Sequence, residues 1–266
     1  MPRHQVFELG DLPWVPIRFK HYLTDVLSIA GTVGERLGDA FCLEPLLDEV
    51  AEILGESGRI IDLCSGAAVP PMALRKRLLA RGIKADVVLT DLHPNLDAFR
   101  RAAQADGCDF RAEPIDATNV PDDLTGLRTV FNAFHHFPPP LARRILKDAH
   151  DSRQGILIVE IPHRSVFGAL SLGTFGALAL ALTPLIRPLS PGRLLWTYAL
   201  PLVPLMVGID GVMSSIRAYD TAELAALTAG LDVDYTWRIT RTRGAGALLP
   251  VTVLLGRPTP HEDNAG

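Results

Sequence analysis

The chain carries an apolar run that stops at an acidic residue and enters a turn of small residues, over positions 58–71. Residues 60–63 (IIDL) are typical of a strand buried on both faces. Residues 65–68 (SGAA) leave room for a ligand to approach the backbone, and Pro70 and Pro71 suit the first turn of a helix. The free N–H groups of such a turn attract a carboxylate or a phosphate. We therefore predict a buried parallel strand, then a helix, with a ligand at the junction.

From residue 59 onward, short apolar runs alternate with segments of helical periodicity. The predicted strands cover 59–64, 85–91, 109–115, 128–134 and 155–161, and the predicted helices cover 70–81, 94–106 and 139–150. Strands separated by helices form parallel sheets that are covered on both faces, with right-handed crossovers. We therefore expect an α/β fold in which a mostly parallel sheet lies between two layers of helices.

Two further helices are predicted before the first strand, over 17–30 and 43–54. The second has apolar residues on one face at helical spacing. These helices either pack against the sheet or form a lid over the ligand crevice that carries Trp14, His21 or Tyr22.

Regular structure resumes at Asp220, which has capping-box spacing to Glu223 before another predicted helix. Residues 233–239 alternate as in a half-buried strand, and residues 248–255 form a last apolar strand. The connection between them, 241–247, is too short for a crossover helix. We therefore expect an antiparallel pair at the end of the sheet.

The segment 165–209 interrupts this pattern with two uncharged apolar runs, 165–186 and 194–209. The first run is long enough to span a bilayer, whereas the second is shorter and contains two prolines. Three interpretations stay open: a membrane-embedded or interfacial hairpin, a buried cap over a substrate pocket, and a dimer interface. Each of them places an apolar surface beside the ligand site.

The chain is apolar and weakly acidic: hydrophobic residues make up 48%, charged residues 21%, and the net charge is −4. Nucleic-acid binding usually requires a concentrated basic face, so this balance argues against a nucleic-acid partner. Four basic residues do cluster on one short helix, where we interpret them as a solvated face. They are Arg75, Lys76, Arg77 and Arg81.

The three cysteines, Cys42, Cys64 and Cys108, are widely spaced and include no CxxC pair. They indicate neither a zinc site nor a disulfide framework, and we predict no metal site. The first residues lack the apolar core of a secretory signal. We therefore expect a cytoplasmic protein, with the inner face of the membrane as its location if the apolar segment reaches a bilayer.

Taken together, these patterns divide the chain into five parts. They are an N-terminal helical lid (1–57), an α/β core (58–164), an apolar insertion (165–219), the remainder of the core (220–256) and a disordered tail (257–266).

The order of four short motifs resembles that of the class I S-adenosylmethionine (SAM)-dependent methyltransferases. In that family the first motif reads acidic-hydrophobic-Gly-x-Gly-x-Gly, and here it reads Asp62-Leu63-Cys64-Ser65-Gly66-Ala67-Ala68, so that small residues replace two glycines. Asp91 matches the acid that ends the second strand. Asp116-Ala117 follows the third strand, and Asn132 lies at the end of the fourth. The dinucleotide fingerprint fits less well, because only Gly66 keeps its position.

The resemblance implies a Rossmann-like, seven-stranded, mostly parallel sheet of order 3-2-1-4-5-7-6, to which this sequence adds an N-terminal helical arm and an apolar helical insertion after strand five. It also implies SAM as methyl donor and S-adenosylhomocysteine (SAH) as product. Asp91 would take the ribose hydroxyls, Asp116 would lie near the adenine, and Asn132 would lie near the methionine and methyl group. The full set of implied cofactor residues is Asp62, Cys64, Gly66, Asp91, Leu92, Asp116, Ala117 and Asn132.

His135 and His136 follow the fourth strand, and we place them on the substrate side without requiring either as a base. Glu160, at the end of strand five, is a further candidate for the crevice. The apolar insertion predicts a lipophilic small-molecule acceptor. Two other functions stay open: a non-catalytic SAM-binding or membrane-associated scaffold, and a nicotinamide-dependent oxidoreductase. The sequence does not indicate an oligomeric state.

Overall fold

A computed structural model describes residues 2–243 and 250–259. The strands are β1 Arg59–Leu63, β2 Asp86–Leu89, β3 Asp109–Phe110, β4 Leu127–Phe131, β5 Ile156–Glu160, β6 Tyr235–Thr242 and β7 Val251–Pro258. The helices are α1 Ile17–Leu37, α2 Leu47–Leu54, α3 Val69–Ala80, α4 Leu96–Asp106, α5 Pro139–Asp151, α6 Val166–Gly173, α7 Phe175–Leu182, α8 Pro191–Leu194, α9 Leu202–Arg217 and α10 Thr221–Thr228.

The seven strands form one sheet in the order β3-β2-β1-β4-β5-β7-β6. The strands β1 to β5 are parallel, while β7 pairs antiparallel with both β5 and β6. The order and the antiparallel end pair confirm the predicted fold class. Because β1, β2, β4 and β5 run the same way, their carboxyl ends share one edge of the sheet, where ligands bind in open α/β sheets.

Neighbouring residues of each strand face opposite layers of the core. Ile60 packs with α2, α3 and α4 on one face, whereas Ile61 packs with α5 and α10 on the other. Both side chains are fully buried. This arrangement explains why the strands read as continuous apolar runs rather than as alternating ones.

The two N-terminal helices have different surroundings. The apolar stripe of α2, including Leu47 and Val50, is part of the sheet core. Helix α1 instead packs through Leu23 and Val26 against α7 and α9 of the apolar insertion. Arg77 of α3 forms an ion pair with Glu35 of α1, with 2.6 Å between Nη2 and Oε2. One residue of the basic cluster thus links α1 to the core.

The apolar insertion is a compact helical layer. Helices α6 and α7 pack on α9, and three glycines allow the close approach. A Cβ on Gly176 would lie 2.5 Å from the Pro204 carbonyl oxygen, one on Gly211 would lie 2.6 Å from that of Leu172, and one on Gly208 would lie 3.0 Å from that of Gly173. Within the described residues, one helical segment, Val166–Leu185, is long and apolar enough to cross a membrane. The pair Pro191–Ala199 and Leu202–Arg217 passes the same test only as a broken span, bent by 73°.

Several element boundaries differ from the sequence-based expectation. Strand β3 ends at Phe110 rather than 115. Beyond it, Arg111 and Ile115 still donate backbone hydrogen bonds to Leu89 and Asp91, but Pro114 between them has no N–H to donate. Strand β4 ends at Phe131, and a 3-10 turn over Phe134–His136 follows. The prediction of a disordered tail from residue 257 is wrong for its first two residues, because strand β7 runs to Pro258. Arg257 and Pro258 pair with Thr236 and Tyr235 of β6. The rest of that predicted tail, from 260, lies outside the described residues.

Candidate functional site

The turn after β1 has the backbone of a glycine turn although two of its residues are not glycine. Cys64, Gly66 and Ala68 have φ angles of 61°, 51° and 63°. This left-handed region favours glycine, and a residue with a Cβ is strained there by about 1–2 kcal/mol. The space beside Gly66 is open, with nothing within 4 Å of an added Cβ. The turn therefore keeps the shape that its sequence only partly indicates.

Asp91 follows β2 and reaches across to this turn. Its Oδ2 accepts a hydrogen bond from the Gly66 N–H at 3.0 Å, and its Oδ1 accepts one from the His93 N–H at 2.8 Å. The neighbouring Leu92 is 49% exposed. The ends of β1 and β2 are thus tied together at the predicted ribose position.

Asp62 lies beneath the turn and is almost fully buried. The Thr129 hydroxyl donates a hydrogen bond of 2.5 Å to Oδ1 of Asp62, and this bond links β1 to β4. Burial raises the pKa of Asp62 to about 7, opposed by the hydrogen bonds from Thr129 and Ser65. Burial also raises the pKa of the Cys64 thiol, aided by the charge of Asp91. Near neutral pH the thiol is therefore protonated.

The remaining predicted cofactor residues lie at the same edge of the sheet. Asp116 is exposed and its Oδ1 accepts the Thr118 N–H, forming a local turn, while Ala117 is buried in the core. Asn132 has a left-handed φ of 51°, and its Oδ1 accepts the Ile161 N–H at 2.8 Å. Asn132 thus ties the ends of β4 and β5 together.

His135 and His136 lie in the 3-10 turn after β4, with ring centroids 4.4 Å apart. His135 is 1% exposed, and its Nδ1 lies 2.5 Å from Oε2 of Glu160. Burial lowers the pKa of His135, but Glu160 and Glu8 outweigh it and raise the value to about 9. His136 is half-buried, and its Nδ1 lies 3.1 Å from Oδ2 of Asp11.

An N-terminal segment covers the histidine turn and supplies site residues that the sequence patterns did not indicate. Glu8 lies 3.5 Å from the Nε2 atoms of both histidines. Arg217, at the end of α9, contacts Asp11 at 2.7 Å and Glu8 at 3.4 Å. No motif spacing could reveal these contacts, since they join residues more than a hundred positions apart.

The residues proposed for a lid have other positions. Trp14 is 71% exposed, and His21 is exposed as well. The hydroxyl of Tyr22 lies against Gly192, and a Cβ added to Gly192 would be 2.7 Å from that hydroxyl oxygen. The segment that lies on the histidine turn is therefore residues 3–11, not α1.

No protein-family model and no curated protein matches the sequence. Among solved structures, the plantazolicin methyltransferase BpumL in complex with SAH is similar, with a TM-score of 0.51 and 11% identity over 91% of this chain and 98% of that chain. OxaC in complex with SAH and oxaline has a TM-score of 0.52 and 16% identity over 83% of this chain. This chain spans 47% of the length of OxaC.

The strand order, the antiparallel end pair and these structural similarities agree with one another. The chain has the fold of the class I SAM-dependent methyltransferases.

Proposed function

We propose that the protein transfers a methyl group from SAM to a lipophilic small molecule. The observation that carries this proposal is the turn after β1, in which Cys64, Gly66 and Ala68 keep left-handed angles beside the Asp91 carboxylate. A turn of this shape brings small side chains and open space beside the backbone to the carboxyl edge of the sheet. When bound, the cofactor supplies an electrophilic methyl group on a sulfonium.

The residues at this edge fit such a cofactor. Asp91 would take the ribose hydroxyls, with Leu92 providing apolar contact, and Asp116 with Ala117 would lie near the adenine. The open space beside Gly66 leaves the backbone accessible to the methionine part. Asp62, Cys64 and Asn132 would shape the site, since Asp62 and Asn132 hold strand ends together through hydrogen bonds.

The main contribution of the protein to the reaction would be to hold the acceptor atom in line with the methyl group. Good orientation can lower a barrier by roughly 7–11 kcal/mol. His135 and His136 follow β4 at this edge and would contribute to the substrate side of the crevice. Glu160 and Asp11 fix the orientation of the two rings.

A thermal melt tests cofactor binding directly. We expect SAH to raise the melting temperature of the full chain, NADH to leave it unchanged, and Asp91→Ala to abolish the SAH effect. Asp86→Ala is the matched control, because Asp86 begins β2 at the opposite edge of the sheet and, among the described residues, its carboxylate forms an ion pair only with Lys84. A shift with NADH instead would favour the oxidoreductase. SAH binding without methyl transfer to any acceptor in a lipophilic extract would favour the scaffold.

The apolar insertion supports a lipophilic acceptor taken from a membrane surface. Its helices expose a set of large apolar side chains that includes Val166, Phe167, Leu170, Leu185, Leu195, Leu200 and Leu205. Because Val166–Leu185 contains no charge and is partly buried against α9, we propose that this surface lies on the bilayer at the cytoplasmic face rather than crossing it.

Sedimentation with phospholipid vesicles tests the membrane contact. We expect the full chain to bind vesicles and the double variant Leu170→Glu/Leu205→Glu to stay in solution, since the two side chains are 67% and 57% exposed. Val233→Glu, at a residue that is 72% exposed outside the insertion, is the control and should bind like the wild type. Equal binding of all three chains, or none, would contradict the membrane proposal.

A further inference from the structure

Two histidines and a glutamate converge beneath the N-terminal segment. Each imidazole presents its Nε2 atom to one oxygen of Glu8, at 3.5 Å in both cases: His135 faces Oε1 and His136 faces Oε2. One ligand atom from each of the three side chains can be chosen so that all lie within 4.8 Å of one another. We propose that Glu8, His135 and His136 bind a divalent transition-metal ion, with Zn²⁺ as the best fit.

The distances fit a shared metal better than direct hydrogen bonds. A hydrogen bond from a ring N–H to an oxygen measures about 2.7–3.2 Å, so 3.5 Å is too long for a good one. Two ligand atoms bound to one tetrahedral zinc at about 2.0–2.1 Å are separated by about 3.3 Å. The buried Nε2 of His135 has no hydrogen-bond partner among the described residues.

The second nitrogen of each ring supports the same conclusion. The Nδ1 of His135 contacts Glu160 at 2.5 Å, and the Nδ1 of His136 contacts Asp11 at 3.1 Å. A carboxylate that accepts the Nδ1 hydrogen leaves Nε2 with its lone pair available, which is how histidine metal ligands are usually oriented. Without a metal ion, each Nε2 can face its Glu8 oxygen favourably only by carrying a proton, so a metal ion would replace that proton between the ring and the carboxylate.

The charges around the rings also leave room for a divalent cation. Glu8, Asp11 and Glu160 contact the imidazoles, and Arg217 contacts Glu8 and Asp11. Three carboxylates and one guanidinium carry two net negative charges, which one divalent ion would balance. The Ser214 hydroxyl donates to Oε1 of Glu8 at 2.9 Å and so fixes the carboxylate.

Two imidazoles and one carboxylate form a ligand set that suits zinc and leaves a coordination position open. The open position would take an oxygen ligand, such as a hydroxyl or carboxylate of a small molecule. The identity of that ligand rests on the proposed function, whereas metal binding itself does not.

Cobalt titration of the chelator-treated full chain tests the site without cofactor or acceptor. We expect one Co²⁺ per chain, with the intense visible absorption of a four- or five-coordinate site, and displacement by Zn²⁺. Glu8→Gln and His136→Gln should each weaken binding by at least about a hundredfold, and Asp11→Asn by about ten- to a hundredfold.

His150→Gln is the matched control, because His150 also pairs with a carboxylate, Asp151, at 3.0 Å but belongs to no cluster of possible metal ligands among the described residues. It should bind Co²⁺ like the wild type. Circular dichroism melts of each metal-free variant establish that it is folded. The proposal is overturned if binding does not saturate at one ion, if the spectrum is that of hexahydrated cobalt, or if folded Glu8→Gln and His136→Gln bind as tightly as the control.

Discussion

At the scale of single residues, Cys64 shows how a motif can persist in the backbone after its sequence has changed. The resemblance to the methyltransferase motif is imperfect at Cys64 and Ala68, yet both adopt the left-handed φ that glycine normally supplies. The sequence could therefore predict the turn from its surrounding strand and helix. It could not predict that two residues with a Cβ would accept the strain.

Replacing Cys64 with glycine should relieve that strain. We expect Cys64→Gly to be at least as stable as the wild type in urea, because a gain of about 1 kcal/mol offsets the lost packing of the thiol. SAH affinity should be unchanged or tighter. Cys108→Gly is the control: Cys108 is buried but has no positive φ, so we expect a loss of about 1–2 kcal/mol. A larger loss for Cys64→Gly than for Cys108→Gly would contradict this account.

Asp62 should make stability depend on pH near neutrality. Its pKa is raised to about 7 in the folded chain, chiefly by burial, so the folded state holds this proton more tightly than the unfolded state does. The resulting stabilisation is full below the unfolded pKa near 4 and is lost as the pH rises through about 7.

Urea denaturation at several pH values measures this effect. We expect the wild type to lose stability relative to Asp62→Asn from about pH 5 to about pH 8, because asparagine stays neutral over this range whereas Asp62 ionises. Asp116→Asn is the control, because Asp116 is exposed. Its stability should follow the wild type across the same range. Parallel curves for the wild type and Asp62→Asn would show that Asp62 is not responsible.

At the scale of secondary-structure elements, the core helices were more predictable than the apolar insertion. The periodicity of the apolar residues predicts α2 to within a few residues of its start and at its observed end. The capping-box spacing predicts the start of α10, where Asp220 and Glu223 make both reciprocal hydrogen bonds. The run 165–186 offered no polar face from which to find a period. The packing of α6 and α7 on α9 depends instead on close contacts at glycines, and a local sequence pattern does not reveal which glycines meet another helix.

Those glycine contacts predict an unusual response to alanine. In most helices Gly→Ala is stabilising by about 1 kcal/mol. A Cβ on Gly211, however, would lie 2.6 Å from the carbonyl oxygen of Leu172, and backbone cannot move aside easily. We expect Gly211→Ala to lower the free energy of unfolding by about 1–3 kcal/mol.

Gly173→Ala is the matched control, since its Cβ would meet only the side chain of Val212, at 3.3 Å. It should be neutral or slightly stabilising in the same chemical denaturation experiment. If both variants are neutral, α6 and α9 are not as close as described.

At the scale of the whole molecule, the resemblance carried by four sequence motifs predicts the strand order of the sheet. The same motifs do not predict which residues surround the histidine turn. That turn is surrounded by residues from the N-terminal segment, the end of β5 and the end of α9. Arg3 donates to the carbonyl oxygens of His135 and Phe137 at 3.1 Å, and its guanidinium lies 4.0 Å from the Tyr219 ring centroid. Contacts over such separations leave no periodic signal in a sequence.

Removing residues 2–11 should therefore loosen the histidine turn and not the sheet. None of these residues belongs to the two apolar clusters that flank the sheet. We expect faster amide hydrogen exchange at 134–137 and unchanged protection in β1 and β4, measured by mass spectrometry. Uniformly faster exchange would mean that the segment stabilises the whole fold. The double variant Arg3→Ala/Glu8→Gln, which keeps the segment, should show the same local effect more weakly.

The position of Glu8 also bears on the order of events during folding. Arg217 and Ser214, which hold the Glu8 carboxylate, follow Glu8 about two hundred residues later in the chain. Contacts of such long sequence separation form slowly because a large loop must close first. During synthesis and refolding, Glu8 and Asp11 are therefore without their partners on α9 until that helix has docked.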